Sequence, residues 1–174
     1  MKTARVVVLP YDADWKTQFE EIQHELDSVL SNLVLDIHHV GSTSVRGMWA
    51  KPCIDIDVEI EDDSCFDAVV KALATIGYFH EGDLGIQGRE AFGYLGKEHL
   101  QKHHLYVCVK DSEELRRHLT FRDYLRKNPD AVKDYSEVKE KAARLYPDDI
   151  DGYMAYKSPC IEALYKKCGL VKQK

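Results

Sequence analysis

The run Ile54–Ile60 constrains the fold more than any other part of this chain. Its residues alternate strictly between apolar and acidic side chains (IDIDVEI), which is the period of a β-strand with two unlike faces. The apolar residues would face a core, and Asp55, Asp57 and Glu59 would lie in a row on the other face, about 7 Å apart. Like charges at that spacing repel, and acidic residues are poor strand formers, so something must offset the repulsion.

The acidic row has two physical explanations. A divalent cation such as Mg²⁺ would neutralise it, because Mg²⁺ binds one or two carboxylates together with substrate phosphates. Alternatively, the row is the solvated outer face of an edge strand, where charge hinders aggregation. The residues upstream favour the cation. Gly41 follows a strand-like run over residues 33–40 and permits a tight turn, and the hydroxyl residues after it can cap a helix and bind an anion.

The spacing between the Gly-Ser turn and the acidic strand supports the metal-site explanation. Gly41-Ser42 is followed, after twelve residues, by Asp55-Ile56-Asp57-Val58. This arrangement resembles the nucleotidyltransferase superfamily. The resemblance implies that the Gly-Ser turn holds the nucleotide phosphates. It also implies that the two aspartates hold metals that activate the attacking group and shield the leaving pyrophosphate.

Seven short motifs, spread in order over about residues 6–164, point to one family. They are Pro10-Tyr11-Asp12-x-x-Trp15, His39-Val40-Gly41-Ser42-Thr43-Ser44-Val45, Lys51-Pro52-x-Ile54-Asp55-Ile56, Gly85-Ile86-x-Gly88-Arg89, His103-His104-Leu105, Phe121-Arg122-Asp123-Tyr124-Leu125-Arg126 and Tyr156-Lys157-Ser158. On these motifs the chain resembles the GrpB family, a nucleotidyltransferase-like group. The resemblance implies a fold but no established reaction, and some members are fused to dephospho-coenzyme A kinase. Arg46 and Tyr106 depart from the family, which usually has proline and a second histidine there.

Length and composition are those of one ordinary globular domain. The chain has 174 residues, of which 44% are hydrophobic and 31% charged, and a chain of this size can bury a core. We therefore expect residues 1–174 to form a single domain. No apolar run has the length of a membrane span or of a signal-peptide core, so we expect a cytoplasmic protein without a membrane partner. The net charge of −6 gives no general attraction to nucleic acid, so we expect no nucleic-acid partner.

The hydrophobic pattern predicts an α/β fold, with a mixed sheet followed by a helical layer at the C-terminus. Strands are expected over residues 5–9, 33–40, 54–60, 78–79, 91–95 and 103–109. Helices are expected after caps at Asp14 and at residues 62–64, and then over residues 112–127, 130–146 and 150–168. Pro159 is expected to kink the last helix or to begin a new one. With the resemblance, the expected fold is a nucleotidyltransferase-like core with a C-terminal helical cap.

The resemblance also assigns a candidate site. Asp55 and Asp57 are the expected ligands of Mg²⁺ or Mn²⁺, and His104 is expected to act as a base or a ligand. The residues expected to hold the nucleotide and its phosphates are Gly41, Ser42, Ser44, Lys51, Arg89 and Lys157. Lys157 lies on the apolar stripe of its helix, where a charge is costly to bury unless it faces an anion or its end reaches water.

One element of an active nucleotidyltransferase is missing. Such enzymes usually carry a third acid on a later strand, and the strand predicted over residues 103–109 has none. A histidine at position 104 is a possible substitute or a purely structural residue, and Glu59 and Glu90 are alternatives. The neighbouring histidines His99 and His103 lack the Cys or His partners of a structural zinc site.

Two functions remain open. The first is Mg²⁺-dependent transfer of a nucleotidyl group from a nucleoside triphosphate to a small-molecule acceptor. The second is a non-catalytic module that binds a nucleotide or a coenzyme A-related molecule, which the missing third acid and the kinase fusion favour. The five widely spaced cysteines contain no Cys-x-x-Cys pair and are expected to be reduced.

Overall fold

The computed structural model describes residues 5–170 and contains a mixed five-stranded sheet with helices on both faces. The strands are β1 (Asp36–Val40), β2 (Ile54–Ile60), β3 (Tyr78–Gly82), β4 (Glu90–Tyr94) and β5 (His103–Val109); the helices are α1 (Asp14–Leu30), α2 (Phe66–Ala74), α3 (Glu113–Lys127), α4 (Pro129–Leu145) and α5 (Ile150–Lys167). The strand order is β1-β2-β5-β4-β3, with β2 and β5 parallel and the other pairs antiparallel. The predicted α/β fold with a mixed sheet is confirmed.

The apolar face of the sheet forms the main core. The four apolar residues of β2 are at most 1% exposed, and they pack in one cluster with α1 and α2. The predicted stripe of α1 is also buried: it comprises Trp15, Phe19, Ile22, Leu26 and Leu30. Since burying each large apolar side chain is worth about 2 kcal/mol, this cluster anchors β2 in the sheet.

The acidic face of β2 is not a solvated edge. β2 lies between β1 and β5, and the carboxylate of Asp57 has no exposed surface. Helices α3, α4 and α5 form a second cluster with Val45 and Met48, from the segment that follows β1. The helical cap therefore lies over the Gly-Ser turn and the acidic row, which excludes the edge-strand explanation. Among residues 5–170, no helix is both long and apolar enough to cross a membrane.

The prediction of a strand over residues 5–9 is wrong. Leu9 forms one isolated bridge with Ala50, and the amide of Val6 donates to the carbonyl of Pro147 at 2.8 Å. Val6 is buried against the helical cap rather than against the sheet. The apolar residues of this segment thus pack against helices that are distant in sequence. A short apolar run does not indicate whether it packs in a sheet or on helices.

Several element bounds also differ from the predictions. The N-cap of α1 is Ala13, without a side-chain cap, and Asp14 is the first helical residue, whose amide donates to the carboxylate of Asp12 at 2.9 Å. β3 extends to Gly82, beyond the predicted residues 78–79. β1 begins at Asp36 rather than at residue 33. α5 continues through Pro159 without a new start, although proline removes one helical hydrogen bond. Buried residues on both sides of the proline hold α5 in place by tertiary packing.

Candidate functional site

The turn after β1 is built around Gly41. Its φ of 74° and ψ of −176° lie in a region that essentially only glycine adopts. A Cβ atom at this position would also collide with the carboxylate of Asp55. Glycine therefore allows the turn and the first acid of β2 to lie against each other. The residues after it form a short 3₁₀ helix, Ser42–Ser44.

Two cavities meet at Asp55 and Ser42, which line both of them. The lysine cavity, of about 170 Å³, is completed by Thr43, Ala50, Lys51, Cys53, His104, Lys139, Tyr153 and Lys157. The aromatic cavity, of about 210 Å³, is completed by Gly41, Arg117, His118, Phe121, Arg122, Leu125, Tyr135 and Tyr165. The sheet supplies the shared wall, and the helical cap supplies most of the other side chains.

The lysine cavity brings together three ammonium groups. Lys51 and Lys157 lie 5.1 Å and 4.8 Å from the centre of the Tyr153 ring. Lys139 is 2% exposed, and its Nζ donates to Ser42 Oγ. These three side chains come from the segment after the Gly-Ser turn, from α4 and from α5, so only the tertiary fold places them together.

No carboxylate forms an ion pair with this cluster within the described part of the chain, although Asp55 lines the same cavity and favours the charged forms of Lys139 and Lys157. Among residues 5–170, the lysine ion pairs within 4.0 Å are those of Lys97 and Lys110, and neither of these lysines lines the cavity. Burial, and then the neighbouring ammonium groups, lower the pKa of Lys139 well below its usual value and that of Lys157 to about 8. Burial also lowers the pKa of Lys51. A cavity in which three lysines face one carboxylate favours an anionic ligand.

Asp57 lies on the same strand as Asp55, and its side chain is fully buried and contacts α3. Its Oδ2 lies 2.6 Å from Nδ1 of His118. Burial opposes protonation of that ring, but the hydrogen bond with Asp57 and the negative charges of Asp57, Glu114 and Asp55 together outweigh it and raise the pKa of His118. The other oxygen, Oδ1, is buried without a hydrogen-bond partner among residues 5–170. A buried carboxylate oxygen without a partner is costly, so the donor atoms of Asp55 and Asp57 fit an oxygen-preferring cation such as Mg²⁺.

His104 lies directly beside Asp55 because the two residues pair in the parallel β2–β5 register. Its Nδ1 is 3.0 Å from Asp55 Oδ1. This hydrogen bond, and then one with Cys53, raise the pKa of His104 to about 10. At neutral pH the ring is therefore a donor to Asp55, and it would have to lose its proton before it could act as a base.

The remaining predicted phosphate ligands lie away from the two cavities. The Oγ of Ser44 donates to Gly41, and its carbonyl accepts from Nε of Arg126 at 3.0 Å, so Ser44 fixes the turn. Arg89 stacks on the ring of Tyr106, with 4.2 Å between guanidinium carbon and ring centre, and it lines neither cavity. The structure thus brings Gly41, Ser42, Lys51 and Lys157 to the site, but not these two residues.

The acids proposed to replace the missing third carboxylate are paired elsewhere. Glu59 contacts His38 and Glu90 contacts His80, both at 2.8 Å. The site-facing residues of β5 are His104, Tyr106 and Cys108, as the alternation predicts.

Three residues of the site, Lys139, His118 and Cys53, are not among those predicted from the sequence. Lys139 and His118 each lie on the apolar stripe of a helix, four residues after Tyr135 and three after Leu115. Lys157 is selected from the sequence because it lies on an apolar helix stripe. Lys139 and His118 have the same kind of position and can be selected by the same criterion. Cys53 lies two residues before Asp55, as a residue on the same face of the strand would. It precedes the first residue of the predicted strand, so the alternation of the strand does not by itself fix the direction of its side chain.

Sequence comparison gives the family. The profile described as GrpB protein matches residues 5–167. The chain belongs to the GrpB family. The crystal structure of the conserved protein GrpB from Enterococcus faecalis is 34% identical, has a TM-score of 0.77 and matches 92% of this chain and 98% of that one. The UPF0157 protein YqkA of Bacillus subtilis (strain 168) is 37% identical over 161 residues, which are 91% of this chain and 46% of YqkA.

The chain also resembles two proteins at lower sequence identity. The dephospho-CoA kinase of Mycolicibacterium paratuberculosis is 27% identical over 189 residues, which cover 94% of this chain and 46% of the kinase. The chain therefore spans about half the length of this kinase and of YqkA. Cid1 in complex with the UTP analog UMPNPP has a TM-score of 0.55 at 9% identity and matches 94% of this chain and 52% of Cid1. That similarity is one of fold, and it confirms the nucleotidyltransferase-like fold of the family.

Proposed function

We propose that this GrpB-family chain transfers a nucleotidyl group from a nucleoside triphosphate to a small-molecule acceptor, with Mg²⁺ or Mn²⁺ as cofactor. One observation carries the proposal: a cavity lined by three lysines that form no ion pair within residues 5–170 meets Asp55 and the Gly-Ser turn at one wall. Polyphosphate recognition and metal binding would then occur side by side, as this chemistry requires.

The triphosphate would lie in the lysine cavity. The chain as a whole has a net charge of −6, so the local concentration of positive charge there is specific to the cavity. Lys51, Lys139 and Lys157 would donate to phosphate oxygens, and Ser42 would donate at the wall. Hydrogen bonds between a charged donor and a charged acceptor are worth about 1.5–3 kcal/mol each, enough to offset the loss of water around the lysines.

Asp55 and Asp57 would hold the metal. Asp55 is about one-third exposed at the cavity wall, and Asp57 contributes a buried oxygen that has no hydrogen-bond partner within residues 5–170. The bound ion would neutralise phosphate charge and polarise the α-phosphate. The hydrogen bond from His118 orients the Asp57 carboxylate.

The acceptor would occupy the aromatic cavity, on the other side of Asp55. Its oxygen would attack the α-phosphorus in line, the bond from that phosphorus to the α,β-bridging oxygen would break, and pyrophosphate would leave on the lysine side. The acceptor's proton would pass to solvent water. Arg117 and Arg122 line this cavity, each paired with an acid of its own helix, Glu114 or Asp123, and their remaining N–H groups can donate to a polar acceptor.

A second candidate is a non-catalytic module for a nucleotide or a coenzyme A-related molecule. It is favoured by the absence of a carboxylate on the site-facing side of β5 and by the similarity to a dephospho-CoA kinase. Such a module would use the lysine cavity without turnover.

Calorimetric titration of the four nucleoside triphosphates and of coenzyme A, with and without Mg²⁺, tests both candidates. We expect Mg²⁺-dependent triphosphate binding that Asp55→Asn weakens by at least about 100-fold, since a direct metal ligand is lost. Asp67→Asn, exposed on α2 across the sheet, should bind as the wild type does. Pyrophosphate release with a mixture of acceptors would then separate transferase from module. No metal-dependent triphosphate binding would contradict the transferase, and binding of coenzyme A alone would support the module.

The lysine cavity predicts a pH dependence of anion binding. Lys157, with a pKa of about 8, loses its charge as the pH rises through that value; the groups facing it are Lys51, Lys139, Asp55 and Tyr153. Affinity for tripolyphosphate should therefore fall, by up to about tenfold per pH unit above the pKa, relative to Lys157→Arg, which stays charged. Calorimetry between about pH 7 and about pH 9 measures this ratio. The comparison cancels the titration of the ligand itself, and a constant ratio would contradict the prediction.

A further inference from the structure

The wall of the lysine cavity carries a second set of metal-binding atoms that includes a thiol. Cys53 Sγ, an oxygen of Asp55 and a ring nitrogen of His104 all lie within 4.8 Å of one another. Residues two apart on an extended segment project to the same side, which places Cys53 beside Asp55. The parallel register then places His104 next to Asp55. The cluster is thus a direct product of strand geometry.

We propose that these three residues form a binding site for a transition-metal ion of the Zn²⁺ class, with its fourth position open to the lysine cavity. Thiolate and imidazole ligands suit Zn²⁺ and Co²⁺, whereas Mg²⁺ requires oxygen ligands in near-octahedral geometry. Three protein ligands and one open position are typical of zinc that acts on a bound molecule, whereas structural zinc has four protein ligands.

The distances fit such an ion. Bonds of about 2.0 Å at the tetrahedral angle place two N or O donor atoms about 3.3 Å apart, and His104 Nδ1 and Asp55 Oδ1 are 3.0 Å apart. The proton that His104 donates to Asp55 and the proton of the Cys53 thiol would pass to water as the ion binds. A Zn–S bond of about 2.3 Å places the sulfur about 3.5 Å from the N and O donor atoms. The thiol lies within 4.8 Å of both of those atoms, so it needs a shift of at most about 1.3 Å. Cys53 and Asp55 are partly exposed and His104 is exposed, so an ion can enter from solvent.

The lysine cluster defines what the open position would take. Lys51, Lys139 and Lys157 line the same cavity as the three ligands. An anion such as phosphate would bind the metal through one oxygen and the ammonium groups through the others. The zinc site shares Asp55 with the proposed transferase site but does not depend on that function.

Cobalt titration of the metal-free full chain tests the site. We expect one Co²⁺ per chain, with a near-ultraviolet thiolate-to-cobalt absorption band that Zn²⁺ abolishes by displacement. Cys53→Ser should remove the band, and His104→Gln should weaken Zn²⁺ binding by at least about tenfold. Cys65→Ser, at a partly buried cysteine preceding α2, is the matched control and should keep both properties.

Two results would overturn the inference: no thiolate band in the wild type, or a band that survives in Cys53→Ser. Circular dichroism, with Cys53→Ala as a second variant, verifies that loss of the band is not loss of folding, and the wild-type result is decisive by itself. Wild-type protein that binds Mg²⁺ with a triphosphate but shows no cobalt band overturns the zinc site alone. Wild-type protein with the band but without Mg²⁺-dependent triphosphate binding supports the zinc site and contradicts the transferase.

Discussion

Replacement of Lys139 by methionine should stabilise the fold and, at the same time, remove most of the affinity for tripolyphosphate. Lys139 is 2% exposed and has no carboxylate within 4.0 Å among residues 5–170. Burial and the charge of Lys157 both disfavour its ammonium form, as its lowered pKa indicates. Methionine has a similar length, is flexible and needs no hydrogen bond, so we expect a gain of about 1–3 kcal/mol in the free energy of unfolding.

The same change removes a buried phosphate donor. Loss of one charge-assisted hydrogen bond, worth about 1.5–3 kcal/mol, should weaken tripolyphosphate binding by roughly 10- to 100-fold. Urea denaturation measures the stability and calorimetry the affinity. Lys141→Met, exposed on the same helix, should change neither. A destabilised Lys139→Met, or one that binds tripolyphosphate as well as the wild type, would contradict this account of the cavity.

Gly41→Ala should impair both the turn and the metal position. A side chain at φ 74°, ψ −176° costs about 1–3 kcal/mol of backbone strain, and the added Cβ would collide with the Asp55 carboxylate. Because Asp55 must move, Mg²⁺-dependent triphosphate binding should fall by at least about 100-fold, as for loss of the ligand itself. Thermal unfolding and calorimetry give the two effects separately.

Gly96→Ala is the matched control for this change. Gly96 has a φ of 70°, but a Cβ there would meet no atom within 4 Å. It should therefore show strain without a loss of binding. If Gly41→Ala binds Mg²⁺ and triphosphate as Gly96→Ala does, the turn does not position Asp55.

The parts of the site that the sequence predicts are those that depend on short-range geometry. Alternation along β2 orients Asp55, and Gly41 marks a turn that needs an unusual backbone conformation. The same logic fails for Arg89, because its direction depends on the ring of Tyr106, a contact with another strand. It also fails for Glu59, which has the right period but is paired with His38. The alternation of a strand determines which face of the sheet a side chain lies on. It does not determine which residue that side chain contacts.

The sequence alone determined the positions of the five strands that form the sheet, the acidic row, the buried stripe of α1 and the family, because each is expressed in local periodicity or in a short motif. The tertiary structure alone decided that residues 5–9 pack on the helical cap and that Asp57 is buried against His118. It also decided that His104, Lys139 and Lys157 converge on Asp55. These contacts join residues far apart in the chain, and their energies depend on burial and on the distance between charges. Both the burial and the distances are set only when the helical cap packs on the sheet in the folded protein.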